Sequence, residues 1–333
     1  MNIPETNLNP PFRFRRASHA VFTTTDLHKS REFYTEVIGL VVSDEDADTL
    51  YLRGLEERAH HSLVIKRADE PSACLRVGMR VFDDEELDRA RHYFDSLGAP
   101  CEWVEVPFQG RTLQTVDAVG TPLEIVATMA HQPRRDMDVQ IHRGAAARRF
   151  DHYQVTTPDV AKAAEFYTAI GFRIADYMIV GDRPVGVFLH AKDTPYDIVF
   201  VDRDALAFHH YAYIIPDIQA MLRACDTAGA LGWGDCVEFG PGKHSLGHSY
   251  YVYLLDPDGH RVELLLPPIV CMDGDDKPAV WDLTDARHVT EAWGLPPRKG
   301  WFSKRSRFPG VPLPTPSEAD PPQSLEAYLR IIP

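Results

Sequence analysis

The sequence has no apolar run long enough to form a membrane-spanning helix or the core of a signal peptide. Basic residues are also scarce, because 35 Lys and Arg stand against 49 Asp and Glu and leave a formal net charge of −14. A nucleic acid or an anionic membrane would require a basic face on the protein. We therefore expect a cytoplasmic protein with no nucleic-acid and no membrane partner.

Cysteine is sparse and has no recognisable pattern. The five cysteines are odd in number, scattered along the chain and never spaced as CxxC. This argues against a disulfide framework and against a cysteine zinc site. The 333 residues are enough for two domains with cores of their own, since domains usually contain about 100–200 residues.

An internal repeat organises the chain. Residues 17–40 contain an apolar segment, then Asp26, a run that ends in two aromatic residues, and Gly39; residues 150–172 repeat this order. The apolar segment predicts a strand. An aspartate at the N-cap, aromatic residues on one face and a glycine past the end predict a helix. Each copy therefore predicts a strand, a helix, a glycine stop and another strand.

A second pair of modules begins near Cys74 and near Phe208. Each contains a helix that ends in a Gly-Ala pair, and each finishes in a strand hairpin, over residues 119–124 and 258–263. The sequence thus predicts an α+β fold in which four βαβββ modules pair into two domains.

Histidines and a carboxylate recur in the strands of the C-terminal pair of modules. His152 lies in one predicted strand, His209 and His210 lie in another, and Glu263 lies in the final hairpin. Since side chains alternate across a strand, only one of the adjacent histidines can face a metal, and the match of residues 152–155 with 210–213 selects His210. Glu263 is flanked by apolar residues and would need a compensating cation.

Two neutral imidazoles and one carboxylate form the facial triad that holds non-haem Fe(II) and leaves positions open for substrate and dioxygen. His152, His210 and Glu263 therefore predict a metal-dependent oxygenase.

Two further stretches are the most specific part of the sequence: GPGKH at residues 240–244 and YVYLLDPDGHRVE at residues 251–263. With the repeat and the triad, they make the chain resemble the vicinal oxygen chelate (glyoxalase-like) superfamily. In particular it resembles the two-domain extradiol (type I) catechol dioxygenases of the homoprotocatechuate 2,3-dioxygenase branch, over about residues 15–300.

The resemblance implies an N-terminal tail over 1–14, a first domain over 15–135, a catalytic domain over 145–270, and a lid with an extended arm over 271–333. The first domain has His19 and Glu124 at the first and third ligand positions but no ligand on its second strand, so we expect it to be structural. For the proline-rich arm, wrapping around its own or a neighbouring subunit and disorder are both open. We expect a homo-oligomer, a dimer or a tetramer.

The resemblance also implies roles around the metal. Tyr253 corresponds to a tyrosine that hydrogen-bonds near the metal-bound substrate oxygen, and His244 corresponds to a histidine that lies near the substrate and the iron; both are expected to be catalytic. Tyr196 stands where the family usually has a histidine that acts as acid and base beside dioxygen. A phenol near neutral pH can donate a proton but is a poor base. Either Tyr196 acts as an acid only, or His190 takes this role, or the chemistry differs.

The remaining predicted substrate-binding residues also depart from the family. Phe239 stands where an arginine that binds a substrate carboxylate would be expected, Phe188 where a tryptophan would be, and Gln154 where an asparagine would be. Losing a bidentate guanidinium favours a substrate with an apolar or aromatic substituent over a carboxymethyl one. Arg287 is a candidate contact from the lid, with a surface arginine as the equal alternative.

The function implied by these residues is extradiol cleavage of a substituted catechol with O2 in aromatic catabolism. The cofactor is expected to be Fe(II), with Mn(II) as the alternative. Hydroquinone-type ring cleavage is the second hypothesis because of Tyr196. A non-redox glyoxalase-like isomerase or lyase and a metal-free binding module are further alternatives on the same scaffold.

Overall fold

Each half of the chain begins with a long strand followed by a helix, as the repeat predicts. The computed structural model describes residues 3–70, 72–285, 287–295, 297 and 300–314. In the first half, strand β1 (Phe14–Thr24) leads to helix α1 (Leu27–Glu32), which continues as a π-helical turn over Phe33–Ile38.

The predicted caps of this first helix are present. The carboxylate of Asp26 accepts hydrogen bonds from the backbone N–H groups of His28 and Lys29. The helical segment ends at Gly39, whose φ is 77°. A Cβ at this position would lie 2.2 Å from the carbonyl oxygen of Arg143, so both conformation and space require glycine.

The other elements of the N-terminal half complete a first unit of strand, helix and three strands and form a second unit of the same order. They are β2 (Val41–Glu45), β3 (Thr49–Arg53), β4 (Leu63–Arg67), β5 (Cys74–Val81), α2 (Asp84–Ser96), β6 (Glu102–Val104), β7 (Thr112–Val116) and β8 (Pro122–Val126). A 3-10 turn over Val139–Ile141 lies in the connection to the second half.

The C-terminal half repeats this order and adds a 3-10 turn over Gly234–Cys236, two short strands and a short helix. Its elements are β9 (Arg149–Thr157), α3 (Val160–Ala169), β10 (Arg173–Val180), β11 (Arg183–His190), β12 (Ile198–Asp202), β13 (Ala207–Ile214), α4 (Ile218–Ala230), β14 (Val237–His244), β15 (Tyr250–Leu255), β16 (Arg261–Leu265), β17 (Ala279–Asp282), β18 (Glu291–Trp293) and α5 (Gly300–Ser303). Asp159 caps α3 as predicted, by accepting a hydrogen bond from the N–H of Lys162.

The strands form two sheets. The first has eight strands in the order β2-β3-β4-β1-β5-β8-β7-β6, and the second has ten in the order β17-β10-β11-β12-β9-β13-β16-β15-β14-β18. Apart from β17 and β18, every strand belongs to a unit of strand, helix and three strands. The α+β fold class and the four βαβββ modules are thereby confirmed.

The pairing of the central strands positions the site. In the C-terminal sheet β9 and β13 are antiparallel neighbours, while β12 runs parallel to β9 and β16 runs parallel to β13. The N-terminal sheet repeats this pattern with β1, β5, β4 and β8. Matching positions in the two sheets can therefore be compared residue by residue.

The two halves share one core. A single cluster of buried apolar side chains includes residues of both sheets. Two buried hydrogen bonds, related by the internal repeat, also join the halves: the Tyr34 hydroxyl donates to Asp256 over 2.8 Å, and the Tyr167 hydroxyl donates to Asp117 over 3.0 Å. Each half is consequently held against the other by packing and by paired polar contacts.

The predicted domain boundaries, 15–135 and 145–270, enclose the strands of the four modules except for the first residue of β1. The boundaries themselves stay a prediction. Part of the expected arm, residues 315–333, lies outside the described residues. Among the residues that are described, residues 300–311 pack on their own chain, where Ser306 pairs with Phe208 and Phe308 is buried in the core.

No helix in the described part of the chain is long and apolar enough to cross a membrane.

Candidate metal centre and active site

Three central strands bring the predicted ligands together. His152 lies on β9, His210 lies on β13 and Glu263 lies on β16. One oxygen of Glu263, Oε2, lies 3.2 Å from Nε2 of His152 and 3.4 Å from Nε2 of His210, and the two imidazole Nε2 atoms are 3.4 Å apart. All three side chains are buried.

This donor set fits a metal ion. One ligand atom from each of His152, His210 and Glu263 lies within 4.8 Å of the others. Two donors that bind one first-row metal at right angles stand about 3 Å apart, because each lies about 2.1 Å from the ion. Two imidazoles and one carboxylate on one side of an ion leave its other positions free. Their role as ligands remains a proposal.

The electrostatics of the three residues are coupled. Burial raises the pKa of Glu263, but hydrogen bonding led by His152 holds it well below its usual range. Burial lowers the pKa of His210 to about 4. Burial also acts to lower the pKa of His152, but its hydrogen bonds to Asp151 and Glu263 raise it to about 9. Because a ligating imidazole must be neutral, metal binding would release this proton.

His244 and Tyr253 lie beside the triad, on β14 and β15. Nε2 of His244 is 3.0 Å from the Tyr253 hydroxyl and 3.5 Å from Oε1 of Glu263. Burial lowers the pKa of His244, but Glu263 and Glu291 raise it above the usual value. Burial and Glu263 hold the pKa of Tyr253 well above 10, so the phenol keeps its proton. The pair offers two hydrogen-bond donors next to the metal position.

Tyr196 lies just before β12 and faces the same space. Its ring makes an edge contact with His152, with centroids 5.4 Å apart, and packs against Phe188. Its buried hydroxyl has no hydrogen-bond partner of good geometry among the described residues. Burial, together with the nearby carboxylates of Asp176 and Glu263, raises its pKa well above 10. The phenol is therefore a neutral acid at physiological pH.

A cavity of about 500 Å³ opens in front of the triad. The predicted residues Gln154, Phe188 and Phe239 line it. Most of the remaining wall is apolar and includes Met178, Val180, Val185, Val199, Val201, Leu246, Leu265, Leu283 and Trp301. The cavity is large enough for a catechol ring with a sizeable substituent.

Two predicted residues lie elsewhere. His190 is buried but does not line this cavity, and its Nδ1 lies 2.7 Å from the carbonyl oxygen of Lys192. Arg287 forms an ion pair with Asp285 on the surface, where 85% of its side chain is exposed. Arg287 thus fits the surface alternative, and the structure does not bring either residue to the cavity.

Sequence reasoning missed several residues around the triad. Asp151 accepts a hydrogen bond from Nδ1 of His152 over 2.9 Å. Lys192 donates to the backbone carbonyls of Asp151 and Tyr196, and so joins the strand of the first histidine to the loop of the tyrosine. Asp151 was detectable, since it directly precedes the histidine; the contacts of Lys192 depend on loop geometry that no local pattern encodes.

Trp301 was missed because it lies in the proline-rich tail. Its indole packs against Tyr253 and Phe239, with centroid separations of 4.5 and 4.8 Å. The guanidinium of Arg261 covers its ring at 4.7 Å. A single aromatic residue in a segment without periodicity gives no indication in the sequence that it lines a cavity.

The corresponding position in the N-terminal sheet has a different set of side chains. Gly78 pairs with Glu124 as Ala212 pairs with Glu263, so Arg76 takes the position of His210. Nε2 of His19 is 2.9 Å from Glu124, and the amide of Gln109 donates to the same carboxylate over 2.9 Å. Arg76 therefore takes the position of a metal ligand, and the amide of Gln109 occupies the carboxylate that a metal ion would need.

Comparison with known proteins agrees with this geometry. Residues 16–119 and 149–264 match the model of the Glyoxalase/Bleomycin resistance protein/Dioxygenase superfamily. The chain belongs to this superfamily. The first stretch covers β1 to β7 and the second covers β9 to β16, so one match lies in each sheet.

Within the superfamily, similar proteins include extradiol dioxygenases. The chain is 26% identical over 282 residues to the manganese-dependent 2,3-dihydroxybiphenyl 1,2-dioxygenase of Geobacillus genomosp. 3, covering 79% of this chain and 88% of the relative. It is 25% identical over 281 residues to the metapyrocatechase of Pseudomonas sp. (strain CF600), covering 80% and 90%.

Solved structures agree with these relatives. The homoprotocatechuate 2,3-dioxygenase of Brevibacterium fuscum, in complex with 3,4-dihydroxyphenylacetate, matches with a TM-score of 0.86 and 30% identity over 92% of this chain and 97% of that chain. The homoprotocatechuate 2,3-dioxygenase of Arthrobacter globiformis matches with a TM-score of 0.86 and 31% identity, covering 92% and 96%.

Proposed function

We propose that this protein is an extradiol ring-cleaving dioxygenase that acts on a substituted catechol with O2. His152, His210 and Glu263 hold Fe(II), with Mn(II) as the alternative. The observation that carries the proposal is the triad of ligand atoms, within 4.8 Å of one another, facing a cavity of about 500 Å³. Similar chains named as extradiol dioxygenases support it.

The bound metal ion would supply Lewis acidity, which favours loss of the phenolic protons of a catechol, and a redox centre for dioxygen. The protein's own residues supply proton control and position. His244 and Tyr253 share a 3.0 Å hydrogen bond and donate toward the substrate oxygens, where negative charge develops. Tyr196 lines the same cavity, beside His152, and acts as a proton donor.

The cavity favours an apolar substituent on the catechol. Phe239 presents a buried ring, stacked on Tyr253 at 5.8 Å, where a carboxylate-binding arginine would be expected. Two arginines also line the cavity: Arg183 is paired with Asp202, and Arg203 donates from Nη1 to the backbone carbonyl of Asp202 over 2.7 Å. A carboxylate on the substrate would therefore lose water without gaining a free bidentate partner.

Hydroquinone-type ring cleavage is the second candidate. The observation in its favour is Tyr196, since a phenol whose pKa is raised by burial and nearby carboxylates is a poor base. A reaction that requires the usual histidine base would be slow with this residue.

Oxygen uptake by the metal-loaded protein separates these functions. The purified chain is stripped of metal, reloaded with Fe(II) or Mn(II), and assayed against alkyl catechols, aryl catechols, 3,4-dihydroxyphenylacetate and hydroquinones. Oxygen consumption with catechols and a ring-opened chromophore is expected, and His210→Ala serves as the metal-free control. Turnover of hydroquinones alone would support the second candidate, and no oxygen uptake with any diol would refute both.

A homo-oligomer, a dimer or a tetramer, is part of the proposal. Size-exclusion chromatography with light scattering measures it, and a monomeric mass would contradict it.

A further inference from the structure

His209 lies directly behind the metal ligand His210, although alternation along a strand would turn it away. The register between β13 and β9 shifts between Phe208 and His210, so His209 is the extra residue of a β-bulge. Bulges bend a strand and redirect its side chains, and they are common beside active sites. As a result Nδ1 of His209 lies 2.8 Å from Nδ1 of His210, and both rings are buried.

The second nitrogen of His209 determines which of its atoms carries the proton. Nε2 of His209 lies 3.2 Å from the backbone carbonyl oxygen of Trp301. A carbonyl oxygen can only accept, so Nε2 of His209 must donate. A neutral imidazole has one N–H group, and its other nitrogen is an acceptor.

The surroundings of His209 favour the neutral ring. The guanidinium of Arg261 donates to the carbonyl oxygen of His209 itself over 3.1 Å, and it is buried with Glu238 as its ionic partner. A second cation beside this buried guanidinium would be costly.

We infer that His209 is a positioning residue that fixes the tautomer of His210: it accepts the Nδ1 proton of His210 and so leaves the Nε2 lone pair of His210 for the metal. This inference rests on the proposed function, because it assumes a metal at the triad. The two ligand histidines then have analogous supports, since the carboxylate of Asp151 accepts from Nδ1 of His152 over 2.9 Å. Metal-binding histidines commonly use their second nitrogen in this way.

The inference gives the C-terminal segment a defined part in metal binding. The carbonyl oxygen that orients His209 belongs to α5, and Arg261 holds this helix by donating to the carbonyls of Lys304 over 3.1 Å and Gly300 over 3.4 Å. The same buried guanidinium therefore contacts both His209 and the segment that orients it.

Binding of Mn(II) tests the inference without any turnover. The metal-stripped protein is titrated with Mn(II), and the free ion is measured from its electron paramagnetic resonance signal. His209→Leu removes the acceptor and should weaken binding by about 10–100-fold, as is typical when the partner of a ligating histidine is lost. In His209→Asn the amide oxygen can replace the Nδ1 acceptor, so its affinity should stay close to wild type.

His61→Leu is the matched control, since it also removes a buried imidazole, here from the loop before β4 in the N-terminal half, and it should leave Mn(II) affinity unchanged. Nitrogen-15 NMR of the metal-free wild type adds a readout that needs no variant: the proton of neutral His210 should reside on Nδ1. A proton on Nε2 would overturn the inference, and so would equal Mn(II) affinity of His209→Leu and wild type. Failure of the wild type to bind Mn(II), or retention of metal by His210→Ala, would instead refute the proposed metal site.

Discussion

Tyr196→Phe removes one oxygen atom from the cavity wall and tests whether that oxygen delivers a proton. The ring should stay in place, because it is 6% exposed and is held between His152 and Phe188. The hydroxyl has no hydrogen-bond partner of good geometry among the described residues. Asp176, whose pKa burial raises and the hydroxyl helps to lower, keeps its hydrogen bond from Nε1 of Trp281 over 2.7 Å. We expect the melting temperature to be unchanged or slightly higher, since removing an unsatisfied buried hydroxyl costs little.

Turnover should behave differently from stability. Loss of an acid-base group usually lowers the rate by about 10²–10⁴-fold, which corresponds to about 3–5 kcal/mol in the activation barrier. Steady-state oxygen uptake with an alkyl catechol measures kcat and KM, and KM should change little because the ring that lines the cavity is kept. An unchanged kcat in a folded, metal-loaded Tyr196→Phe enzyme would refute the role of proton donor.

Tyr196→His is the complementary change. Burial and the carboxylates of Asp176 and Glu263 hold the phenol in its protonated form. An imidazole can both donate and accept near neutral pH. We therefore expect Tyr196→His to keep or raise activity on simple catechols. Activity as low as that of Tyr196→Phe would mean that this position needs a neutral acid alone.

Three further predictions use other assays. Metal analysis should find one ion per chain; His210→Ala should abolish its retention and His19→Ala should not, and equal loss in both would contradict a structural N-terminal domain. Neutral alkyl or aryl catechols should have a higher kcat/KM than 3,4-dihydroxyphenylacetate, because Phe239 offers no cation to a carboxylate; the reverse order would disprove the substrate argument. Burial raises the pKa of Asp117 to about 6, so the folded state holds a proton that the unfolded state loses near pH 4. This group alone should therefore lower the free energy of unfolding by about 3 kcal/mol as pH rises from about 4 to 6. Asp117→Asn should flatten this pH dependence in urea unfolding, and an unaltered dependence would assign it to another group.

Local patterns were sufficient to predict the modules and the triad. The caps at Asp26 and Asp159 follow from side-chain chemistry within a single turn, and the two halves could be aligned because they repeat the same order. Once the halves are aligned, the strand register alone brings His152, His210 and Glu263 to neighbouring positions.

Contacts between distant segments could not be predicted in the same way. The bulge at His209 depends on the pairing of β13 with β9, and the strict alternation assumed from sequence leaves it out. Trp301 reaches the cavity because Arg261 donates hydrogen bonds to the backbone carbonyls of Gly300 and Lys304. Every residue has a backbone carbonyl, so the sequence does not show which ones are bound. His190 shares strand β11 with Phe188, yet a local hydrogen bond to the carbonyl of Lys192 holds its ring outside the cavity wall.

The two halves of the chain balance the same buried charge in different ways. Burial raises the pKa of Glu124, but hydrogen bonds from His19, Gln109 and Gln114 lower it to about 2, so this carboxylate is ionised. The nearby cation is Arg76, whose pKa is lowered by burial and raised by Glu124. A guanidinium has no lone pair to offer a metal, so the arginine supplies positive charge while removing a ligand. In the C-terminal half the equivalent residue is a histidine, which leaves the charge of Glu263 to be balanced by a proton or a metal ion. Arginine in place of histidine, together with the amide of Gln109 on the carboxylate, therefore distinguishes the structural ion network of the N-terminal sheet from the candidate metal site of the C-terminal sheet.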